Sequence, residues 1–249
     1  MTRILLLGGT TEARRMAKTL AEAGLDAVFS YAGRTNNPMA QPIPTRMGGF
    51  GGVAGLVDYL RAEGITHVID ATHPFAAQMS SNAVHACAEA GVALTALERP
   101  AWAPEAGDNW QFAPNMDGAL AALPDDPTRV FLAIGRLNLD LFAAKPQHHY
   151  LLRLVDAPVA PLPLPNTQVV VAKGPFTFDS DLALIKDHGT QLIVAKNGGG
   201  AGARAKLDAA RDLGLPVIMI DRPAVPERQV LGTVPEVMAW LDQEADRGV

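Results

Sequence analysis

Apolar residues recur along this chain in two alternating rhythms, short unbroken runs and stripes spaced three and four apart. Ile4-Leu5-Leu6-Leu7 is the first run and stops at Gly8-Gly9-Thr10. Ala13, Met16, Ala17, Leu20 and Ala21 then follow the spacing of one helix face, ended by Gly24. The same alternation predicts strands over Ala27–Tyr31, Thr66–Ala71 and Val92–Leu97. A helix carrying Val53, Leu56, Val57 and Leu60 stops at Gly64, and a second starts at Pro74 with Phe75, Met79, Ala83, Ala86, Cys87 and Ala90 on its buried face. From Arg99 to about Asp126 prolines and Gly107-Asp108-Asn109 loosen the pattern, which reads as a connector with one helix, Met116–Leu123. Strands then resume at Val130–Gly135, His148–Leu154, Gln168–Gly174, Gln191–Asn197 and Pro216–Arg222. Helices at Leu182–Lys186 and Ala203–Leu213 end at Gly189 and Gly214, and Thr233-Val-Pro-Glu236 opens the last helix with a capping box. Strands alternating with helices imply an α/β chain with two mainly parallel sheets covered on both faces. The connector divides it into residues 1–125 and 126–249.

In such sheets ligands bind beyond the carboxyl ends of the strands. The turn at Gly8-Gly9-Thr10-Thr11 joins a strand to a helix N-terminus, where unpaired N–H groups and the helix dipole favour a phosphate. Against the dinucleotide pattern G-x-G-x-x-G/A it has Thr10 for the second glycine and only Ala13 at the third, so a plain tight turn and a cofactor site both remain open. Beyond the second strand, Ser30-Tyr31-Ala32-Gly33-Arg34 offers no acid for a free ribose hydroxyl and instead supplies Arg34, a partner for a ribose 2′-phosphate. NADP is therefore favoured over NAD.

The second half ends its strands in cations: Arg136, Arg153, Lys173, Lys196 and Arg222. Any one reads as a solvated surface residue. Five together imply an anionic ligand, with Arg204 and Lys206 as further candidates near Asn197-Gly198-Gly199-Gly200. His73 stands at the mouth of the first-half site, either as a proton donor or as a structural histidine. Asp70 either orients it or caps the next helix. His148-His149 lacks a spaced ligand partner, which argues against a metal site. Cys87 reads as core, and Trp102 and Trp110 either cover a flat ligand or fill a gap between the lobes.

Composition narrows the classes. The chain has 249 residues, 48% hydrophobic and 19% charged, enough for one large or two modest cores. A net charge of -5 argues against sequence-independent nucleic-acid binding. One cysteine suits a reducing, cytoplasmic setting, and the four-residue N-terminal apolar run predicts neither a signal peptide nor a membrane span.

Eight short motifs, in order, carry a resemblance along nearly the whole chain: LLLGGTTEAR at 5–14, AGRT at 32–35, IDATHPFA at 69–76, ERPAW at 98–102, AIGR at 133–136, KGPF at 173–176, AKNGGGAGARAKLDAA at 195–210 and IDRP at 220–223. Together they resemble the precorrin-6A reductase family of cobalamin biosynthesis. The resemblance implies two Rossmann-like lobes with the active site in the cleft between them, and NADPH-dependent reduction of one macrocycle double bond, giving precorrin-6B. It implies cofactor binding by Gly8, Gly9, Thr10, Thr11, Glu12, Arg14, Gly33, Arg34 and Thr72. Joined to the strand-end reading, it gives the tetrapyrrole carboxylates Arg136, Arg153, Lys173, Lys196, Asn197, Gly198, Lys206 and Arg222 as partners, with His73 as candidate acid and bound water as its rival. Gly199 and Gly200 depart from the Ser or Thr expected after Asn197. The implied partners are the tetrapyrrole and other corrin-pathway enzymes at handover, with no metal, nucleic acid or membrane. A cobalt-containing substrate, a non-catalytic nucleotide sensor and a tetrapyrrole carrier are the alternatives.

Overall fold

The computed structural model describes residues 2–33 and 39–246. Its strands assemble, among the described residues, into two six-stranded parallel sheets, each within its own compact unit.

Unit 1 comprises Met1–Pro100 and Ala224–Val249. Its sheet contains β1 (Arg3–Leu7), β2 (Asp26–Tyr31), β3 (Thr45–Met47), β4 (His67–Asp70), β5 (Ala93–Leu97) and β12 (Val230–Leu231), in the order β12-β5-β4-β1-β2-β3. That is the Rossmann order, with the strand order reversing at β1. The apolar run of β1 and the full burial of β4, polar His67 and Asp70 included, are explained by their central place, covered on both faces. On one face α1 (Thr11–Glu22) and α8 (Val234–Asp246) enclose Ile4, Leu6, Met16, Leu20, Phe29 and Trp240. On the other, α2 (Gly52–Ala62) and α3 (Ala77–Ala90) pack Leu56, Leu60, Ala83 and the buried Cys87 against Leu5, Leu7 and Val68.

Unit 2 spans Ala101–Pro223. Here β6 (Asn109–Ala113), β7 (Arg129–Ala133), β8 (His149–Leu154), β9 (Thr167–Val171), β10 (Leu192–Lys196) and β11 (Pro216–Ile220) take the order β6-β11-β10-β7-β8-β9. The five strands other than β6 repeat the order of unit 1, and β6, first in sequence, takes the outer place that β12 fills there. The described helices of this unit are α4 (Met116–Ala121), α5 (Leu139–Phe142), α6 (Phe178–His188) and α7 (Ala205–Asp212).

Three expectations need correction. The division does not fall at residue 125: β6 pairs with β11 and Trp102 enters the core of unit 2, whereas β12 pairs with β5 and α8 packs into the core of unit 1. The 99–126 connector therefore contains a strand. The third helix begins at Ala77 rather than Pro74, because His73 O accepts Ala76 N at 2.7 Å and closes a separate turn first. The capping box at Thr233 is present, with Glu236 accepting the Thr233 and Gly232 amides, each at 2.9 Å. The Thr233 side chain, together with those two amides, holds the Glu236 carboxyl below its ordinary pKa.

Buried histidines tie stability to pH. His188 ends α6 with Nδ1 3.0 Å from Thr190 Oγ1, and burial, aided by Arg129 and His149, lowers its pKa from 6.5 to about 4. The unfolded chain therefore binds this proton more readily than the folded one. Stability is full above pH 6.5 and falls as pH drops towards 4, by at most about 3 kcal/mol from this residue. Burial also lowers the pKa values of His67 and His148, adding in the same direction. Urea unfolding at pH 7.5 and pH 5 should show this loss, and His188→Gln should reduce it. Equal midpoints for the native chain at the two pH values would refute it.

Candidate functional site

Parallel strands put all their carboxyl ends on one edge, so each unit presents one row of post-strand residues. In unit 1 the row begins with Gly8 and Gly9. Gly8 N donates to Ser30 O at 3.0 Å, and a methyl group on Gly8 would sit 2.0 Å from Phe29 Cζ. Gly9 has φ +128°, and nothing lies within 4 Å of the space a side chain would take. Thr10, in place of the second glycine, is the N-cap of α1. Its hydroxyl accepts Ala13 N at 3.0 Å and donates to Ala71 O at 2.8 Å, fastening this turn to the end of β4. Its side chain is thus committed inward.

Glu12 lies in the first turn of α1, where its charge would repel an anion, but Arg99 pairs with it. Arg14 reaches Thr11 Oγ1 at 3.2 Å and also Met39. Gly33 closes β2 with φ +73°. Arg34 lies outside the described residues. Thr72 donates through both its amide and its hydroxyl to Asp70 Oδ1, at 3.1 and 2.7 Å, so Asp70 organises the turn after β4. The second Asp70 oxygen lies 3.7 Å from Arg228, which also pairs with Glu98 at 2.9 Å. Exposed His73 accepts Phe75 N on Nδ1 at 3.2 Å, so its neutral ring carries the proton on Nε2.

In unit 2 the strand-end cations share one edge, but their surroundings differ. Arg136 and Lys173 are exposed, and among the described residues no carboxylate is seen to pair with either. Leu137 and Phe178, both exposed, are near them in sequence. Lys196 is half-buried at the end of β10. Arg153, by contrast, is paired with buried Asp181 and lies 3.5 Å from the centre of the Phe176 ring.

Asn197 is also held internally. Its side chain accepts Trp102 N at 2.7 Å and donates to Trp102 O at 3.0 Å, and Trp102 Nε1 donates to Gly200 O at 2.8 Å. Trp102 is therefore a brace for the glycine turn. Arg222 Nε donates to Asn197 O at 3.1 Å, and its Nη2 reaches Gly198 O at 3.5 Å. Arg204 pairs with Glu105 and Asp208. Lys206 is buried, donates to Ala203 O and sits 5.1 Å from the Trp102 ring. Burial, reinforced by Arg153, lowers its pKa to about 8. Arg153, Asn197, Lys206 and Arg222, the expected substrate contacts, all have internal partners at this edge.

The precorrin-6x reductase CbiJ/CobK family model matches residues 3–242. The chain belongs to this family. It is 64% identical over 248 residues to a precorrin-6A reductase of Rhodobacter capsulatus, covering 100% of this chain and 98% of the relative. A cobalt-precorrin-6A reductase of Priestia megaterium is 30% identical, with 96% and 97% covered. The solved structure of CobK precorrin-6A reductase superimposes with TM-score 0.95 at 65% identity, covering 98% of this chain and 97% of that one. The chain is thus an oxidoreductase family member.

A nicotinamide cofactor is the hydride source this reductase family implies. The residues of unit 1 fit its phosphates. Gly9 leaves an open cradle, the Thr10 side chain takes only the Ala13 amide from the α1 N-terminus, and Arg99 neutralises Glu12. Among the described residues no group of three or more His, Cys, Asp or Glu could hold a metal ion, and no helix is long and apolar enough to cross a membrane. The pairings of Arg99, Asp181 and Arg228 escaped the sequence reading because their partners lie 87, 28 and 130 residues away. For Arg99 alone there was a signal, its position just beyond a strand.

Proposed function

We propose that the chain reduces one double bond of the precorrin-6A macrocycle with NADPH, giving precorrin-6B. The observation that carries this reading is the pair of carboxyl edges, one with a glycine cradle and helix N-terminus, the other with exposed cations that have exposed apolar side chains near them in sequence. It is supported by the end-to-end likeness to a precorrin-6A reductase. A tetrapyrrole bearing acetate and propionate groups is flat and apolar in the middle and anionic at its rim. Arg136, Lys173 and Lys196 match the rim, and Leu137 and Phe178 match the face. The rigid floor of Trp102, Asn197 and Arg222 would fix the Gly198 backbone against it. Cobalt-free substrate is favoured because the relatives named for it are 41–64% identical, against 24–30% for those named for the cobalt form.

Bound NADPH supplies the hydride; the chain orients the partners and excludes water. Gly8, Gly9, Thr11 and the Glu12 backbone hold phosphate, and Thr10 keeps the turn in register through Ala71. His73 is the candidate donor of the proton that must accompany the hydride, with bound water as the competing source.

The test is absorbance at the NADPH band on adding precorrin-6A. Oxidation that depends on the macrocycle is expected, whereas binding of either ligand without turnover would favour a sensor or carrier. His73→Ala should slow turnover about 100-fold while leaving NADPH affinity unchanged. Unchanged turnover would assign the proton to water.

A further inference from the structure

Arg46 is a further cation of unit 1. It lies in β3 directly opposite Ser30 of β2, at the carboxyl edge of the unit 1 sheet. Its Nη1 donates to Ser30 Oγ at 2.8 Å and to Gly48 O at 3.0 Å, and its Nη2 donates to Gly49 O at 3.2 Å. The guanidinium carbon stands 3.8 Å from the centre of the Phe50 ring and 5.1 Å from that of Tyr59. Ser30 is buried, and Arg46 is half-buried. The fork is therefore locked in place. Among the described residues no carboxylate pairs with it, so a half-buried cation is held by neutral groups alone. Those bonds leave Nε–H and one Nη2–H, the two parallel donors with which arginine grips a phosphate side-on.

In a sheet of this order, the residues at the end of β2 read the ribose 2′ position. Ser30-Tyr31-Ala32-Gly33 provides no acid there. We propose that Arg46 selects NADPH over NADH by binding the 2′-phosphate, its geometry set by Ser30 and the Phe50 ring. This rests on the NADPH reading above and adds a specific residue to it. A free lysine in that place would bring charge without the planar fork. Arg34, the residue favoured from sequence, is the competing reader.

Fluorescence titration of NADPH and NADH into the full chain and into R46Q, R46K and R34Q tests the assignment without turnover. R46Q keeps a planar amide over Phe50 but removes the charge. It should weaken NADPH binding about 10- to 100-fold and leave NADH within about twofold. Competition by 2′-AMP should weaken in R46Q, and competition by 5′-AMP should not. If R46Q does not fold, R46K serves, with the NADPH-to-NADH preference expected to fall several-fold. An unchanged preference in R46Q or R46K, equal losses for both nucleotides, or loss of preference in R34Q alone would overturn the role of Arg46. A native chain that binds NADPH no better than NADH would instead remove the NADPH reading itself.

Discussion

Alanine at position 8 is expected to lower folding stability by about 3 kcal/mol, a large penalty for adding one methyl group. The added carbon would lie 2.0 Å from Phe29 Cζ and 2.2 Å from Phe29 Cε1. That ring cannot swing away cheaply, since Phe29 is fully buried and packs against Tyr31 with ring centroids 4.5 Å apart. The alternative is for the backbone of the β1–α1 turn to lift, which would pull Gly8 N from Ser30 O and Thr10 Oγ1 from Ala71 O. A second substitution separates these two responses. Phe29→Leu alone leaves a void and destabilises, but joined with Gly8→Ala it should cost less than the sum of the two singles, by more than about 1 kcal/mol. Urea denaturation of the four chains measures this coupling. Additive losses would mean that the turn yields rather than the ring, and that Gly8 is required only for backbone approach. Either way nucleotide affinity should fall with Gly8→Ala, because the same turn carries the cradle at Gly9.

The central strands and the helices packed against them were legible because periodicity reports burial. Ile4–Leu7, the stripe from Ala13 to Leu20 and the runs before Gly135 and Asn197 are all core. Four short elements were not: β3, β6, β12 and α5. Edge strands carry weak patterns, as in Asn-Trp-Gln-Phe-Ala of β6, where only Ala113 is buried. Two units were expected, but their boundaries were misplaced for a related reason, since β6 and β12 find their partners far along the chain. For the site, strand-end position was readable but occupancy was not. A sequence marks Arg153, Arg222 and Lys206 as cations; only the fold shows Asp181, the Asn197 carbonyl and the Ala203 carbonyl already waiting for them. Arg46 was placed at the ligand edge without a role, because β3, three residues long, left its pairing with Ser30 unread.

Asp181→Asn should destabilise the chain by about 3–5 kcal/mol, because it leaves Arg153 charged and nearly buried without its counter-ion. The side chain of Asp181 is 1% exposed and that of Arg153 is 9% exposed, so water cannot replace the lost partner. The neighbours make matters worse for the cation: Phe176 and Phe131 cover the guanidinium, and buried Lys206 adds positive charge nearby. Asp181 also raises the Lys206 pKa, so its loss should carry that group further below 8, and Lys206 would shed its proton closer to neutrality. The double variant Arg153→Met with Asp181→Leu removes both charges while keeping most of the volume, and it should recover most of the stability lost in Asp181→Asn. Thermal and urea unfolding of the three chains decide the matter. A double variant no more stable than Asp181→Asn would show that the pair's hydrogen-bond geometry, rather than mutual neutralisation, holds β8 to α6. If the double variant is stable, it also isolates the contribution of Arg153 to tetrapyrrole affinity. Charge carried by Arg136, Lys173 and Lys196 should then account for nearly all of the salt-dependent binding.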